Sequence, residues 1–288
     1  MKRSLYVGIF LALRRIGLVS RATALTCVGQ GDGGGAQTHA TMSVIAFCRA
    51  YDIPYRHTPL KRIEHASVGA SASEWEALFN LGDGERLADD PLVPAIALPT
   101  FVRRPWLWAT DAIVQVRNLH AYSEQHPTAY QTAVTEFRNK YRGRKWVPGV
   151  CVLLSAHIRR GDVTVFTHPD RFTPNQRVLA VIRHHVHMNE AAGKRCVITI
   201  HSQGMHRDFK DFESEGCQIA LNDNPLDTIQ ALISSDVLII AKSSFSYVAG
   251  LLCQGEVLYE PFWHKPLPHW KVKSDKELDI SRTEHSTH

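Results

Sequence analysis

Apolar runs alternate with amphipathic segments along the second half of the chain. The runs are short enough for strands, and the segments between them have the spacing and the glycine or proline ends of helices. Such alternation predicts a parallel sheet with right-handed crossovers. The predicted strands are 149–158, 195–202, 218–222, 236–241 and 256–261, and the predicted helices are 175–193, 205–216, 225–235 and 244–255.

The first half carries a looser version of the same pattern. Residues 86–105 are rich in proline and are expected to be irregular, with 95–102 as a further candidate strand. Pro148 and Gly149 mark the end of the half. We therefore expect an N-terminal domain at 1–146, a C-terminal domain at 147–271 and a polar tail at 272–288. The predicted strands are 24–29 and 53–59, and the predicted helices are 36–52, 71–82 and 123–144.

The N-terminal segment has an apolar core at 5–13 that is too short to span a bilayer. Arginines crowd the region where a signal peptide would have a neutral cleavage site. An amphipathic first helix is the first interpretation, and a peripheral membrane anchor is the alternative. The expected apolar face consists of Leu5, Ile9, Ala12, Leu13 and Ile16.

The composition narrows the class of protein. A chain of 288 residues with 44% hydrophobic and 21% charged residues is typical of a soluble globular protein. The net charge of +5 comes from scattered cations, which favours an anionic small ligand or membrane surface over nucleic acid. Six cysteines without a CxxC pair indicate free thiols and a reducing, cytoplasmic compartment.

The sequence "HIRRGD" (157–162) follows the first apolar run of the second half. Arg159 and Arg160 alternate in direction on an extended backbone, so one can reach a ligand while the other turns inward to Asp162 or another acid. Ligands of open α/β sheets bind at the carboxyl ends of the strands. A guanidinium there suits a pyrophosphate because it binds two oxygens at once. A structural ion pair is the alternative.

The sequence "AKSSFSYVAGLL" (241–252) joins an apolar run to a helix through serines. Ser243, Ser244 and the N–H groups near Phe245 can bind a phosphate at the positive helix end. An ordinary N-cap, which Ser244 alone could provide, is the alternative.

The sequence "GQGDGGGAQ" (29–37) lies between a predicted strand and a predicted helix. Gly29, Gly31 and Gly34 match the dinucleotide pattern G-x-G-x-x-G. Asp52, however, precedes the second strand, whereas an acid that binds the ribose of NAD should end it. The broader interpretation is that the glycines let backbone N–H groups approach an anion or a sugar. No D-x-D triplet is present, and we predict neither a metal nor a cofactor.

These three sequences together resemble the GDP-fucose-dependent fucosyltransferase superfamily. "HIRRGD" looks like the H-x-R-R-G-D motif of α1,2-fucosyltransferases, whose superfamily also holds the α1,6- and protein O-fucosyltransferases. "AKSSFSYVAGLL" is similar to the group's later serine motif, and "GDGGGAQ" to its Gly-Gly-x-Gly-Asn-Gln. Order and spacing match across residues 26–262, in a style closest to bacterial α1,2-fucosyltransferase-like enzymes.

The resemblance implies an α/β, GT-B-like fold, in which two Rossmann-like domains face each other across a cleft. It implies an inverting, metal-independent transferase that moves fucose from GDP-fucose, bound by the C-terminal domain, to a glycan hydroxyl, bound by the N-terminal domain. Arg159 would be catalytic and grip the β-phosphate. The other implied donor-binding residues are His157, Arg160, Asp162, Asp227, Ser243, Ser244 and Phe245, the glycine loop is Gly33, Gly34, Gly35 and Gln37, and the candidate bases are Asp32 and His39.

Two departures from the family pattern leave the acceptor and the linkage open. Ala36 replaces the family's asparagine, and Tyr247-Val248 replaces a double tryptophan. The acceptor could be a polysaccharide, a lipid-linked oligosaccharide or a protein, and a basic first helix suits the inner membrane face. The other interpretations are a transferase for another nucleotide sugar and a non-catalytic protein that binds nucleotides or glycans.

Overall fold

A computed structural model describes residues 2–29, 31–64 and 70–273. The chain forms two compact units, unit 1 (Met1–Arg142) and unit 2 (Gly143–His288). Both units contain helices and parallel strands, so the expected α/β class is confirmed. Most of the predicted tail lies outside the described residues, but its first residue belongs to a strand, Lys271–Val272.

Unit 1 is built around a small parallel sheet with the order β1-β5-β4. A parallel two-stranded pair, β2 and β3, adjoins β1 through a bridge between Leu25 and Tyr55. The strands are β1 (Ala24–Cys27), β2 (Arg56–His57), β3 (Arg86–Leu87), β4 (Ala95–Ala97) and β5 (Ile113–Val116), and the helices are α1 (Lys2–Arg15), α2 (Gly34–Ala50), α3 (Ala72–Phe79), α4 (Leu98–Val102), α5 (His120–Gln125) and α6 (Pro127–Lys140).

The central strand β5 is absent from the sequence prediction. It is only four residues long and follows an irregular segment, so its apolar pattern is weak on its own. β5 is a strand because it pairs with both β1 and β4, which supply its backbone hydrogen bonds. Only the first part of the candidate strand 95–102 is a strand, β4. The helix α4 follows it directly, with Pro99 in the first turn, where proline is favoured.

Local capping sets the helix bounds. Ser71 caps α3 in a reciprocal capping box with Glu74, as the serine at that position predicts. The helix ends at Phe79, earlier than the predicted Gly82, because Asn80 adopts a left-handed conformation with φ 51°. The single helix predicted at 123–144 is instead two, since Pro127 opens a new helix.

The first helix is confirmed, but its predicted apolar face is wrong. Phe10, outside that face, is 1% exposed and lies against Phe101 of α4. Leu5 and Ile16 are instead 62% and 68% exposed. Among the described residues, none of the helices combines the length and the apolar character that crossing a membrane requires.

Unit 2 contains a six-stranded sheet with the order β11-β10-β9-β6-β7-β8, in which every pair is parallel. Counted from its first strand, this is the doubly wound order 3-2-1-4-5-6. The strands are β6 (Val152–Ile158), β7 (Cys196–Ser202), β8 (Gln218–Leu221), β9 (Val237–Ile239), β10 (Glu256–Tyr259) and β11 (Lys271–Val272), and the helices are α7 (Asn175–Ala191), α8 (Lys210–Ser214), α9 (Pro225–Ile233) and α10 (Ser244–Leu252).

The two faces of the β6 strand have different surroundings. Leu154, Ala156 and Ile158 join the apolar core that also includes residues of α7 and α8. Because side chains alternate along a strand, His157 lies on the opposite face, where its ring approaches Phe245 of α10. The fold thus directs the polar residue at the end of β6 away from the main core.

An aromatic cluster from the C-terminal segment packs on α10. The ring of Tyr247 lies 4.9 Å from that of His264 and 5.1 Å from that of Trp270. Its hydroxyl donates to the carbonyl oxygen of Lys265 at 2.7 Å. Tyr247, one of the two departures from the family pattern, is therefore a buried packing residue.

Candidate functional site

The order of strands in unit 2 brings two of the predicted motifs together. β6 and β9 are hydrogen-bonded neighbours, and the strand order reverses between them. Such a switch point is where open α/β sheets bind ligands, outside the carboxyl ends of the strands. "HIRRGD" leaves β6 at this edge, and the serine turn leaves β9 at the same edge.

His157 occupies the end of β6 and is 9% exposed. Its ring centre lies 5.2 Å from that of Phe245, in the first turn of α10. Burial, assisted by the charge of Arg159 and by His201, lowers the pKa of His157 to about 3. The imidazole is therefore neutral at physiological pH, with one hydrogen-bond donor and one acceptor.

The two arginines have opposite environments, and Arg159 is the one paired with Asp162. Its Nη2 lies 2.7 Å from Oδ1 of Asp162, and its side chain is partly exposed. The acid holds the guanidinium at the edge of the sheet. Both side chains keep access to solvent, which leaves Arg159 available to an anion.

Arg160 turns toward the protein. Its hydrogen-bond acceptors are neutral groups, whereas an acid was one of the partners expected from the sequence. It donates to the carbonyl oxygen of Thr173 at 2.9 Å and to Oδ1 of Asn175 at 2.7 Å. Its guanidinium carbon lies 4.3 Å from the centre of the Phe172 ring. Burial lowers its pKa to about 10, against the influence of Asp208. Arg160 braces the loop that follows β6.

Gly161 makes this loop possible. Its φ of +76° falls in the left-handed region, which L-residues adopt at a cost. A Cβ at this position would lie 2.7 Å from Oε1 of Gln203 in the loop after β7. The glycine therefore satisfies both the turn and the close approach of Gln203.

The serine turn combines a cap with a tight closure. Ser243 is the N-cap of α10, and its side chain accepts from the N–H of Phe245 at 3.2 Å. Ser246 closes the turn by bonding to both the N–H and the carbonyl of Ala241. The N-cap is therefore Ser243, whereas the sequence alternative named Ser244. The hydroxyl of Ser244 contacts Nε2 of His264 at 3.1 Å.

A cationic cluster, formed by Lys242 and Arg177 around Glu260, lies beside this turn and was not predicted from the sequence. Lys242 Nζ lies 3.2 Å from Glu260 Oε1, and Arg177 Nε lies 3.4 Å from the same atom. Thr173 donates to the other carboxylate oxygen of Glu260 at 2.8 Å. The contributing positions are far apart in sequence, and only the shared sheet edge joins them.

Asp227 lies exposed in the first turn of α9, which Asn224 caps. This helix starts after β8, at the same edge of the sheet as the two motifs. The chain thus places all of the predicted donor residues in one unit and at one edge.

The glycine loop of unit 1 has a packing role. Gly33 is the N-cap of α2, and Gly34 and Gly35 are buried in its first turn. A Cβ on Gly34 would lie 2.4 Å from the Trp75 ring, so this glycine accommodates a side chain of the protein itself. Gln37 Nε2 donates to the carbonyl oxygens of Asp32 and Arg62 at 2.7 and 2.8 Å, which ties the loop to the next segment.

The two candidate bases occupy different environments. Asp32 is exposed, and its Oδ1 accepts from the N–H of Gly33 at 2.8 Å. His39 is the other candidate base, and its role stays a prediction. It is buried inside unit 1, with its ring stacked 4.2 Å from His120 and near Tyr130.

Unit 1 contains a cavity of about 700 Å³ at the carboxyl ends of β1, β2 and β3. Its lining includes Thr58, Lys61, Arg62, Glu64 and Gln115. A Cβ on Gly31 would lie 2.3 Å from Oε1 of Glu64, so this carboxylate lies directly against the glycine loop. Glu64 was missed from the sequence because nothing local marks it.

Among the described residues, no cluster of three or more His, Cys, Asp or Glu side chains has the arrangement of a metal site. All six cysteines are free.

Comparison with known proteins gives similarity only at the level of structure. No sequence-family profile matches the chain, and no curated protein sequence does. The heptosyltransferase TibC of enterotoxigenic E. coli, in complex with ADP-D-β-D-heptose, is 12% identical with a TM-score of 0.43. That alignment covers 88% of this chain but 62% of TibC, so the chain spans less than two thirds of that protein.

Two other solved structures align along most of their length. E. coli heptosyltransferase WaaC with ADP is 11% identical, with 92% of this chain and 99% of WaaC covered and a TM-score of 0.39. NodZ α-1,6-fucosyltransferase soaked with GDP-fucose is 9% identical, with 80% and 92% covered and a TM-score of 0.38. These values assign no family, so the function must be argued from the site.

Proposed function

We propose that the chain is an inverting, metal-independent glycosyltransferase that moves fucose from GDP-fucose to a glycan hydroxyl. The observation that carries the proposal is that Arg159 and the Ser243–Phe245 turn follow the neighbouring strands β6 and β9 at the same edge of the sheet, where the ring of His157 lies 5.2 Å from that of Phe245. An arginine and a helix N-terminus at one sheet edge are the groups that a nucleoside diphosphate requires.

The chemistry follows from where charge develops. The acceptor oxygen forms a bond to C1 of fucose and gives its proton to a base, while the bond from C1 to the β-phosphate oxygen breaks. The electron pair of the broken bond stays on that oxygen, so the β-phosphate of GDP gains negative charge. A fixed guanidinium stabilises this transition state more than the ground state. Asp162 keeps the Arg159 side chain in place before the donor arrives, so little reorganisation is needed at the moment of reaction.

The donor's nucleoside would lie beside His157. A neutral imidazole there can exchange hydrogen bonds with hydroxyl or base groups without repelling the adjacent Arg159 cation. Asp227 is the proposed acceptor of hydrogen bonds from guanine, since its carboxylate lies exposed at the same edge. Ser243, Ser244 and the first N–H groups of α10 would bind the diphosphate.

The acceptor glycan is assigned to the 700 Å³ cavity of unit 1. Its lining mixes charged, hydroxyl and amide groups, as a polyhydroxyl ligand needs. Glu64 is the proposed base, because it combines a place in that lining with contact to the glycine loop. Asp32, which also adjoins the loop, is the second candidate.

A location at the cytoplasmic membrane face belongs to the same proposal. The exposed apolar residues Leu5, Ile16 and Leu18 accompany the exposed cations Arg15 and Arg21 on the first helix and the turn after it. Exposed apolar side chains that are flanked by basic residues are typical of segments that bind an anionic membrane surface. Free thiols agree with a reducing compartment. A nucleic-acid partner is not proposed.

The test is thermal stabilisation by GDP, GDP-fucose, GDP-mannose, UDP, CMP and NAD, each with and without EDTA. A ligand that binds the native state raises its apparent stability. We expect a shift for GDP and GDP-fucose that EDTA leaves unchanged and that Arg159→Ala removes. A preference for UDP would point to another nucleotide sugar, and a preference for NAD would overturn the transferase. Binding without transfer or hydrolysis would indicate a non-catalytic binding protein.

A further inference from the structure

His157 and His201 form a pair at the end of adjacent strands. They are register partners on β6 and β7, and paired residues on parallel strands point to the same face of the sheet. That face carries α10, since the ring of Phe245 adjoins His157. His201 is 6% exposed. It belongs to none of the motifs discussed above.

Three of the four ring nitrogens of this pair have no hydrogen-bond partner among the described residues. Within the described part of the chain, His157 Nδ1 and both nitrogens of His201 are buried without a hydrogen-bond partner. Leaving a buried polar group unpaired destabilises the folded chain. Apolar or aromatic residues would avoid this cost at the same positions, so the nitrogens point to an external partner.

Both imidazoles are held in the neutral form. Burial lowers the pKa of His201, although Asp223 opposes the shift. Burial and Arg159 act in the same direction on the pKa of His157. A neutral imidazole presents one N–H and one lone pair, whereas a phosphate presents acceptors only. The pair is therefore suited to a group that both donates and accepts.

The position of the pair indicates which part of a ligand it meets. Cations and the α10 N-terminus, the groups suited to phosphates, lie along the edge at Arg159, Lys242 and Ser243. The histidines stand beside them, nearer to β7. Ribose hydroxyls and the polar edges of a base are neutral groups that donate and accept, and in a nucleoside diphosphate they adjoin the phosphates.

We propose that His201 is a nucleoside-binding residue of the donor site, which with His157 hydrogen-bonds the ribose or base of a nucleoside diphosphate. This inference rests on the proposed function, since it assumes that the switch point binds a nucleotide. It assigns specificity for the nucleoside to β7, next to the strand that carries the arginines.

The experiment is calorimetric titration of the full chain and its variants with GDP, ADP, UDP and inorganic pyrophosphate. His201→Phe keeps a ring of similar shape and removes both nitrogens, and His201→Gln keeps a donor and an acceptor. The matched control is His184→Phe, on the exposed surface of α7. We expect His201→Phe to weaken GDP binding at least tenfold with pyrophosphate binding unchanged, His201→Gln to restore much of it, and the control to bind as the parent does.

A thermal unfolding measurement without ligand separates binding from structure. Because His201→Phe no longer buries unpaired nitrogens, its unliganded melting temperature should rise. Unchanged GDP affinity in His201→Phe, or equal losses of affinity for GDP and pyrophosphate, would overturn the inference about His201. The proposed function as a transferase that binds GDP would still stand. If ADP or UDP binds and GDP does not, the proposed donor fails, and the same variants still decide the role of His201. A parent chain that binds none of the nucleotides would overturn both.

Discussion

The guanidinium carbon of Arg160 lies 4.3 Å from the centre of the Phe172 ring. Stacking and hydrogen bonds to Thr173 and Asn175 commit this arginine to the protein. Its neighbour Arg159, bridged to Asp162, remains partly exposed where the chain leaves β6. Adjacent residues of the same type thus have separable roles, and substitutions should distinguish them.

Replacement of Arg159 should remove transfer without unfolding the chain. We expect Arg159→Ala to lower turnover by at least about 10²–10³-fold, because a preorganised group at the developing charge is lost. Arg159→Lys should retain little activity, since a point charge does not reproduce the bidentate fork. The measurement is fucose transfer or GDP release, with Arg183→Ala on α7 as the control. Near-normal activity of Arg159→Ala would exclude it from catalysis.

Replacement of Arg160 should act on stability first. Arg160→Ala loses charge-assisted hydrogen bonds and the stacked ring, which together are worth about 2–3 kcal/mol. The lower urea midpoint should accompany weaker nucleotide binding, because the loop that holds Arg159 is less ordered. If Arg160→Ala unfolds like the parent but binds no GDP, Arg160 contacts the donor directly.

Gly161 should not tolerate a side chain. Gly161→Ala incurs the left-handed cost of about 1–2 kcal/mol and a clash with Gln203. The control is Gly193→Ala in the same unit, where φ is +71° but nothing lies within 4 Å of the new Cβ. We expect Gly161→Ala to be the less stable by urea unfolding and Gly161→Ala/Gln203→Ala to approach the control. Equal losses in both single variants would show that the close approach is unimportant.

The buried state of His157 predicts a pH dependence of stability. Its pKa of about 3 lies below the value of an unfolded histidine, so the unfolded chain binds the extra proton between these values. Stability is therefore lost as the pH falls below about 6.5, with a slope of about 1.4 kcal/mol per pH unit for one proton. His157→Phe should therefore lose less stability than the parent between pH 6 and 4. The two pH dependences, measured from urea midpoints, should differ by at most that slope.

The control for this series is His187→Phe, an exposed position on α7 that should keep the parent slope. A parent-like slope in His157→Phe would mean that His157 takes up its proton in the folded state.

The assignment of the base predicts different effects at two carboxylates. Glu64→Gln should lower transfer by about 10²-fold or more while GDP binding is unchanged, because removing a general base affects the acceptor proton alone. Asp32→Asn should have the smaller effect, since Asp32 does not belong to the cavity lining. The measurement is transfer to a saturating acceptor alongside GDP titration. The reverse order would identify Asp32 as the base.

The exposed side chains of α1 and of the turn after it predict reversible membrane binding. The chain should cosediment with vesicles of phosphatidylcholine and phosphatidylglycerol, less so at high salt, because surface charge attraction is screened. Leu5→Ser/Ile16→Ser should abolish binding, and Leu92→Ser, at another exposed leucine, should not. Salt-insensitive binding, or binding unaffected by the double substitution, would remove this part of the proposal.

Local signals determined most of the elements of unit 2. Apolar runs and glycine or proline punctuation predicted β6 to β10 and α7, α9 and α10, because such strands and helices depend mainly on nearby residues. Local pattern also supplied the motif at 157–162 and the serine turn. It failed at β5, whose four residues become a strand only through two neighbours, and at the buried face of α1, which Phe101 decides.

Tertiary structure decided how these residues act. The sequence shows that Arg159 and Arg160 alternate, but loops distant in the chain determine which one contacts Thr173 and which remains open. His39 follows the glycine loop in the sequence, but only the fold places its ring against His120 in the interior of unit 1. The groups that lie against His157, Glu64 and Gln203 come from distant parts of the sequence. Side-chain environment depends on long-range packing, which periodicity and motif spacing do not encode, whereas the α/β class of the fold follows from the local pattern of apolar and polar residues.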